Sequence, residues 1–218
     1  MRILSTAIIL GAGALVLAGS SAHAFSGFNI LANSQSPLTI DVADKKAEGA
    51  EKFVDMMASD AIAFLGSADL SDAEKQKRFS RLLNKSFDMN TIGRFALGRY
   101  WRVSSAEQRK EYQALFRDMI VEVYSRRFGE YNGQTLEVRG SRRDNEKDVT
   151  VNSFIVPNDG GQEIQVDWRV RQKKGQYKII DVMVEGVSMA LTQRSDFSSV
   201  IQRGGGEVSV LIAHLKEQ

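Results

Sequence analysis

The sequence predicts an α+β fold: N-terminal helices, then an antiparallel sheet of about four strands, then C-terminal helices. Two observations carry this expectation. Apolar residues recur at helical spacing from about Asp41 to Asn132-Gly133, at every second position after Gly133, and at helical spacing again beyond Gly186. Two turn-forming stretches, Pro157-Asn158-Asp159-Gly160-Gly161 and Lys173-Lys174-Gly175-Gln176, separate the alternating runs, so neighbouring strands join as hairpins.

Met1-Arg2 and the apolar run Ile3 to Leu17, followed by Ala22-His23-Ala24, have the form of a signal peptide, residues 1–24, cleaved before Phe25. The run is too short to span a bilayer. Residues 25–40, FSGFNILANSQSPLTI, lack periodicity and read as a flexible leader to a domain over 41–218. Phe53, Val54, Met57, Ala61, Ile62 and Leu65 mark a first amphipathic helix ending at Gly66. Ser71-Asp72-Ala73-Glu74 forms a capping box before Phe79, Leu82, Leu83 and Phe87, and Asp88 caps a short helix that breaks at Gly98. A second box, Ser104-Ser105-Ala106-Glu107, opens the longest helix, whose stripe runs from Tyr112 to Phe128.

The strands follow as Leu136 and Val138, then Val149 to Ile155, then Ile164 to Val170. A fourth, Tyr177 to Glu185, is apolar at Ile179, Ile180, Val182, Met183 and Val184, which predicts a central strand covered on both faces. The remainder reads as two helices divided by Gly204-Gly205-Gly206.

Composition excludes several classes of function. The chain has no cysteine, so it holds no thiol chemistry, no disulfide scaffold and no lipoprotein anchor, and the exported product is expected to be soluble. A net charge of +2 carries no nucleic-acid signature. Beyond the signal peptide His214 stands alone among histidines, which leaves no ligand cluster for a metal, and the sequence has no nucleophile elbow and no phosphate-binding glycine loop.

Three stretches resemble the MlaC/toluene-tolerance family of periplasmic phospholipid-binding proteins. They are IGRFALGRYWRVSSAEQRKEYQALFRDMIVEVY, Ile92 to Tyr124; the strand EIQVDWRVR; and DVMVEGVSMALTQRSDFSSVIQRGGGEVSVLIAHL, Asp181 to Leu215. The pentapeptide Glu185-Gly186-Val187-Ser188-Met189 is the most specific match, and the triple glycine departs from the family's pattern.

The resemblance implies a curved, NTF2-like sheet and helices enclosing an apolar cavity for acyl chains, with no catalytic residue and no cofactor other than phospholipid as cargo. It implies a monomeric carrier that maintains outer-membrane lipid asymmetry. Its partners would be an outer-membrane lipoprotein complex of the MlaA type and an inner-membrane MCE-domain transporter complex of the MlaD type.

Periodic apolar faces ordinarily form solid core. The resemblance makes Phe95, Leu97, Tyr100, Trp101, Phe116, Met119, Ile120 and Val123 candidates for lipid contact on the helices. Val151, Ile164, Val166, Trp168 and Val170 are the candidates on the sheet, with Val187 and Met189 beyond it. Basic residues Arg139, Arg142, Arg143, Lys147, Arg169, Arg171, Lys173 and Lys174 face a headgroup, acidic partners or simply water. The competing readings are an enzyme with an Asp/Tyr acid–base pair, for which Asp167 and Asp181 are the strand carboxylates, and a peptide-binding module that uses a strand edge.

Overall fold

Residues 38–217 are described by a computed structural model, with side chains from Lys45 onward. The expected signal peptide, residues 1–24, and most of the expected leader, residues 25–40, lie outside the described residues. Helix α1, Leu38–Leu65, begins three residues before the expected start. It is followed by α2 (Asp72–Ser86), α3 (Met89–Leu97), the single turn α4 (Tyr100–Val103) and α5 (Ala106–Ser125).

Local chemistry sets these ends. Ser71 accepts the Glu74 amide at the start of α2, but Glu74 turns to Arg78 and Arg81 instead of closing a reciprocal box. At α3 the Asp88 carboxylate accepts both the amide and the hydroxyl of Thr91. The box at α5 forms one residue later than expected, between Ser105 and Gln108. Ser104 is buried and donates its hydroxyl to the Tyr100 carbonyl, which closes α4 and leaves Ser105 to cap. Helix α5 stops at Ser125, and Phe128–Glu130 form a separate 3₁₀ turn, so the expected stripe to Phe128 is interrupted.

Five antiparallel strands follow in chain order: β1 (Thr135–Arg143), β2 (Asp148–Val156), β3 (Ile164–Lys173), β4 (Gln176–Val184) and the two-residue β5 (Val187–Ser188). Helices α6 (Met189–Arg203) and α7 (Val208–Lys216) end the fold, and the three glycines divide them as expected. The expectation of a central β4 is corrected: it is penultimate, and β5 covers only Met183 and Val184.

A bulge accounts for β4's apolar run. Arg169 pairs with Asp181 and Val170 with Ile179, which leaves Ile180 without an opposite residue on β3. That extra residue resets the alternation, so Ile179 and Val182, three apart, project from the same face. A bulge at Arg139 does the same in β1, placing Leu136, Val138 and Ser141 on one side.

The apolar interior has two parts. One joins Met89, Ala96 and Leu97 of α3, Tyr100, Tyr112, Phe116 and Met119 to Phe197 and Ile201 of α6 and Val208, Leu211, Ile212 and Leu215 of α7. The other packs Ala50, Val54 and Met57 of α1 on Val149, Val151, Val170 and Ile179 of the sheet. Phe87, where α2 meets α3, packs against both.

Candidate functional site

One face of the sheet lies under α1 and α2, and its cover is uneven. Near the β3–β4 hairpin, Val149, Val151, Val170 and Ile179 are at most 1% exposed. Toward the other end the same face carries Leu136, Ile155, Ile164 and Val184, all half-buried, and it finishes at Val187, which is 55% exposed and pairs with Val184. Full burial of an aliphatic side chain stabilises by about 1.5–3 kcal/mol, so a row of half-covered ones leaves apolar area available to another apolar surface.

Polar groups within this face are satisfied internally. The Trp168 indole donates to the Ser153 hydroxyl at 2.9 Å, and that hydroxyl donates to the Val166 carbonyl at 2.6 Å. An apolar guest meets no unpaired donor there.

A group of aromatic rings joins α1, α2, α5 and the 3₁₀ turn. Phe64 of α1, Phe128 of the 3₁₀ turn, Phe79 of α2 and Tyr124 of α5 form a chain of contacts with centroids 5.4–6.3 Å apart. Tyr124 and Val123 remain 40% and 42% exposed, and burial raises the Tyr124 hydroxyl pKa.

The expected lipid-contact residues divide between these regions. Val151, Val166 and Val170 are buried on the covered face and Trp168 is partly buried with them, while Ile164 lies toward its open end. Leu97, Tyr100, Phe116 and Met119 are buried in the helical cluster, with Trp101 and Ile120 packed against it. The rings of Tyr112, Phe116 and Phe197 close that cluster. Phe95 is 44% exposed under the Arg194 guanidinium, and Met189 is half-buried at the start of α6. The candidates on the long helix and those on the sheet therefore fall in two separate clusters. Val182 and Val184, which the sequence reading did not include among the candidates, lie on the same covered sheet face opposite Trp168 and Val166.

The opposite face of the sheet is ionic. Asp148 takes two hydrogen bonds from Arg171, at 2.6 and 2.8 Å, which hold its carboxyl below the usual range. Asp167 accepts from Asn152 and Gln165. Asp181 accepts from Ser188 and from the Ala190 amide in the first turn of α6. Arg139 bridges Glu137 and Glu163 and covers the Phe154 ring.

Among the described residues no tyrosine hydroxyl bonds to Asp167 or Asp181. Tyr112 donates to the Gly93 carbonyl, and burial pushes its pKa well above the usual range. Asp167 and Asp181 are thus engaged by amide, hydroxyl and backbone donors. Among the described residues no group of three or more His, Cys, Asp or Glu is arranged to hold a metal ion, and no helix is long and apolar enough to cross a membrane.

A family model described as MlaC protein matches residues 55–217. The chain is 25% identical to toluene tolerance protein ttg2D of Pseudomonas putida over 134 residues, 61% of this chain and 62% of that protein. It is 26% identical to the intermembrane phospholipid transport system binding protein MlaC of Haemophilus influenzae over 138 residues, 60% of this chain and 61% of that protein. The match thus spans just over three-fifths of the length of these relatives. A phospholipid-binding protein from Ralstonia solanacearum, solved in complex with a phospholipid, superposes with a TM-score of 0.67 at 25% identity, covering 77% of this chain and 95% of that one.

Proposed function

Since the chain belongs to the MlaC family, we propose that it is a periplasmic phospholipid carrier that moves lipid between the outer and inner membranes and so maintains outer-membrane lipid asymmetry. The observation that carries this reading is the covered sheet face, sealed near the hairpin and half-open from Ile164 to Val187. Acyl chains enter at the open end and take the place of water against Leu136, Ile155, Ile164 and Val184.

The physical need is plain. Each methylene moved from apolar surroundings into water costs about 0.8 kcal/mol, so a lipid crosses an aqueous space only inside an apolar host. The headgroup stays in water at the mouth. Cleavage before Phe25 delivers the chain to the periplasm. There it exchanges cargo with an MlaA-type lipoprotein complex and an MlaD-type MCE-domain complex, and it acts as a carrier without catalytic chemistry or a cofactor.

The test is native mass spectrometry of the purified protein with extraction of what it holds. About one phospholipid per chain is expected. Protein that is lipid-free when purified, and that takes up none from labelled vesicles, overturns the proposal.

A further inference from the structure

A recess of about 440 Å³ opens where the α2–α3 junction, α5 and the β3–β4 hairpin meet. Arg117, Arg171, Lys173, Lys174 and Lys178 line it, with Asp88 as the one carboxylate of the lining. From Ile164 at the half-open end, β3 runs nine residue steps to Lys173, about 30 Å, so the recess and the apolar mouth lie at opposite ends of the sheet.

Some of this charge is already compensated. Arg171 is held bidentately by Asp148. Lys178 donates to the carbonyls of Asn84 and Lys85, the C-terminal end of α2, where a cation is favoured. Asp88 is held by Thr91 as the α3 cap. Arg117 touches only a neutral group, donating to Asn90 Oδ1 at 2.7 Å, and the ammonium groups of Lys173 and Lys174 have no partner among the described residues. Three cations without an ion-pair partner among the described residues thus converge on one concavity, whose single carboxylate, Asp88, is outnumbered.

We propose that this recess binds a phosphate group. An arginine fork with two mobile ammonium groups matches a tetrahedral, multiply charged anion, and the concavity is larger than inorganic phosphate requires. The group comes either on a soluble phosphate compound or on a lipid headgroup at a membrane surface. The proposal does not rest on the acyl-chain reading, because the two sites are separate.

The experiment titrates the intact protein with pyrophosphate by calorimetry at low ionic strength and, in parallel, sediments it with vesicles of phosphatidylglycerol or of phosphatidylcholine. Wild type is expected to bind pyrophosphate or phosphatidylglycerol vesicles, and which of them it binds identifies the source. The double variant Lys173→Gln/Lys174→Gln, altered at an exposed turn, is expected to bind about five- to tenfold more weakly with unchanged thermal stability. Arg117→Gln is expected to weaken binding independently, and Lys77→Gln, exposed on α2, to leave it unchanged. Absence of binding to both ligands, binding indifferent to the recess variants, or equal weakening by Lys77→Gln overturns the proposal.

Discussion

Replacing Ile164 by glutamate separates the role of the half-open face from its share in the core. Ile164 is only half-buried. In the empty protein the new carboxylate keeps contact with water, and folding loses about 1 kcal/mol, roughly half the value of a fully buried isoleucine. Against acyl chains the same carboxylate must shed water or carry water into the apolar site, at a cost of several kcal/mol. With 1.4 kcal/mol per factor of ten, a 3 kcal/mol penalty lowers lipid affinity more than about a hundredfold. The assay is paired: native mass spectrometry for co-purified phospholipid and thermal unfolding on the same preparation. Val151→Ala supplies the contrast, since Val151 has no exposure; it is expected to lose about 1–3 kcal/mol of stability while keeping its lipid. Full lipid loading of a cooperatively folded Ile164→Glu protein would refute the reasoning, and so would a collapse of its melting temperature.

Asp148→Asn is expected to cost about 1–2 kcal/mol at neutral pH, tempered by the partial exposure of Arg171. Because the folded-state pKa of Asp148 is lowered, its contribution is complete above the unfolded value of about 3.9 and fades as pH falls through the folded value. Denaturant melts from pH 7 to pH 2 should therefore show wild type and variant converging only on the acid side; a constant gap would show that the charge is irrelevant. Gly93→Ala would place a Cβ 2.8 Å from Gln113 Oε1 and 2.9 Å from Phe116 Cδ1, so overpacking between α3 and α5 is expected to cost about 1–3 kcal/mol, and unchanged stability would mean that the two helices part freely. Ser105→Ala should lose about 1 kcal/mol and Ser105→Asp should recover it; equal losses in both would remove the capping role.

The order of elements was legible because period, caps and turns agree with one another along the chain. Asp88 and Gly98 bound α3 as their chemistry demands, with Gly98 at φ +59°. What stayed hidden depends on pairing between distant segments. The slip at Ile180 is visible only against Arg169 and Val170, so the apolar run of β4 read as a strand covered on both faces. The capping register of Ser104 and Ser105 was decided by the burial of Ser104 and its bond to the Tyr100 carbonyl, which two adjacent serines do not announce. The site was legible in part. Alternation placed Val151, Val166 and Trp168 on one face, but no periodic pattern tells whether Phe116 and Met119 pack toward the sheet or toward α6 and α7, and they pack toward the latter.

Phe87 gives this division a mechanical meaning. Among the described residues it alone packs against both apolar clusters, and the adjoining Asp88 amide donates to the Ile179 carbonyl at 2.9 Å. Any displacement of the sheet from the α2–α3 corner therefore strains a ring and a backbone bond that lead directly into the α3–α5–α6–α7 cluster.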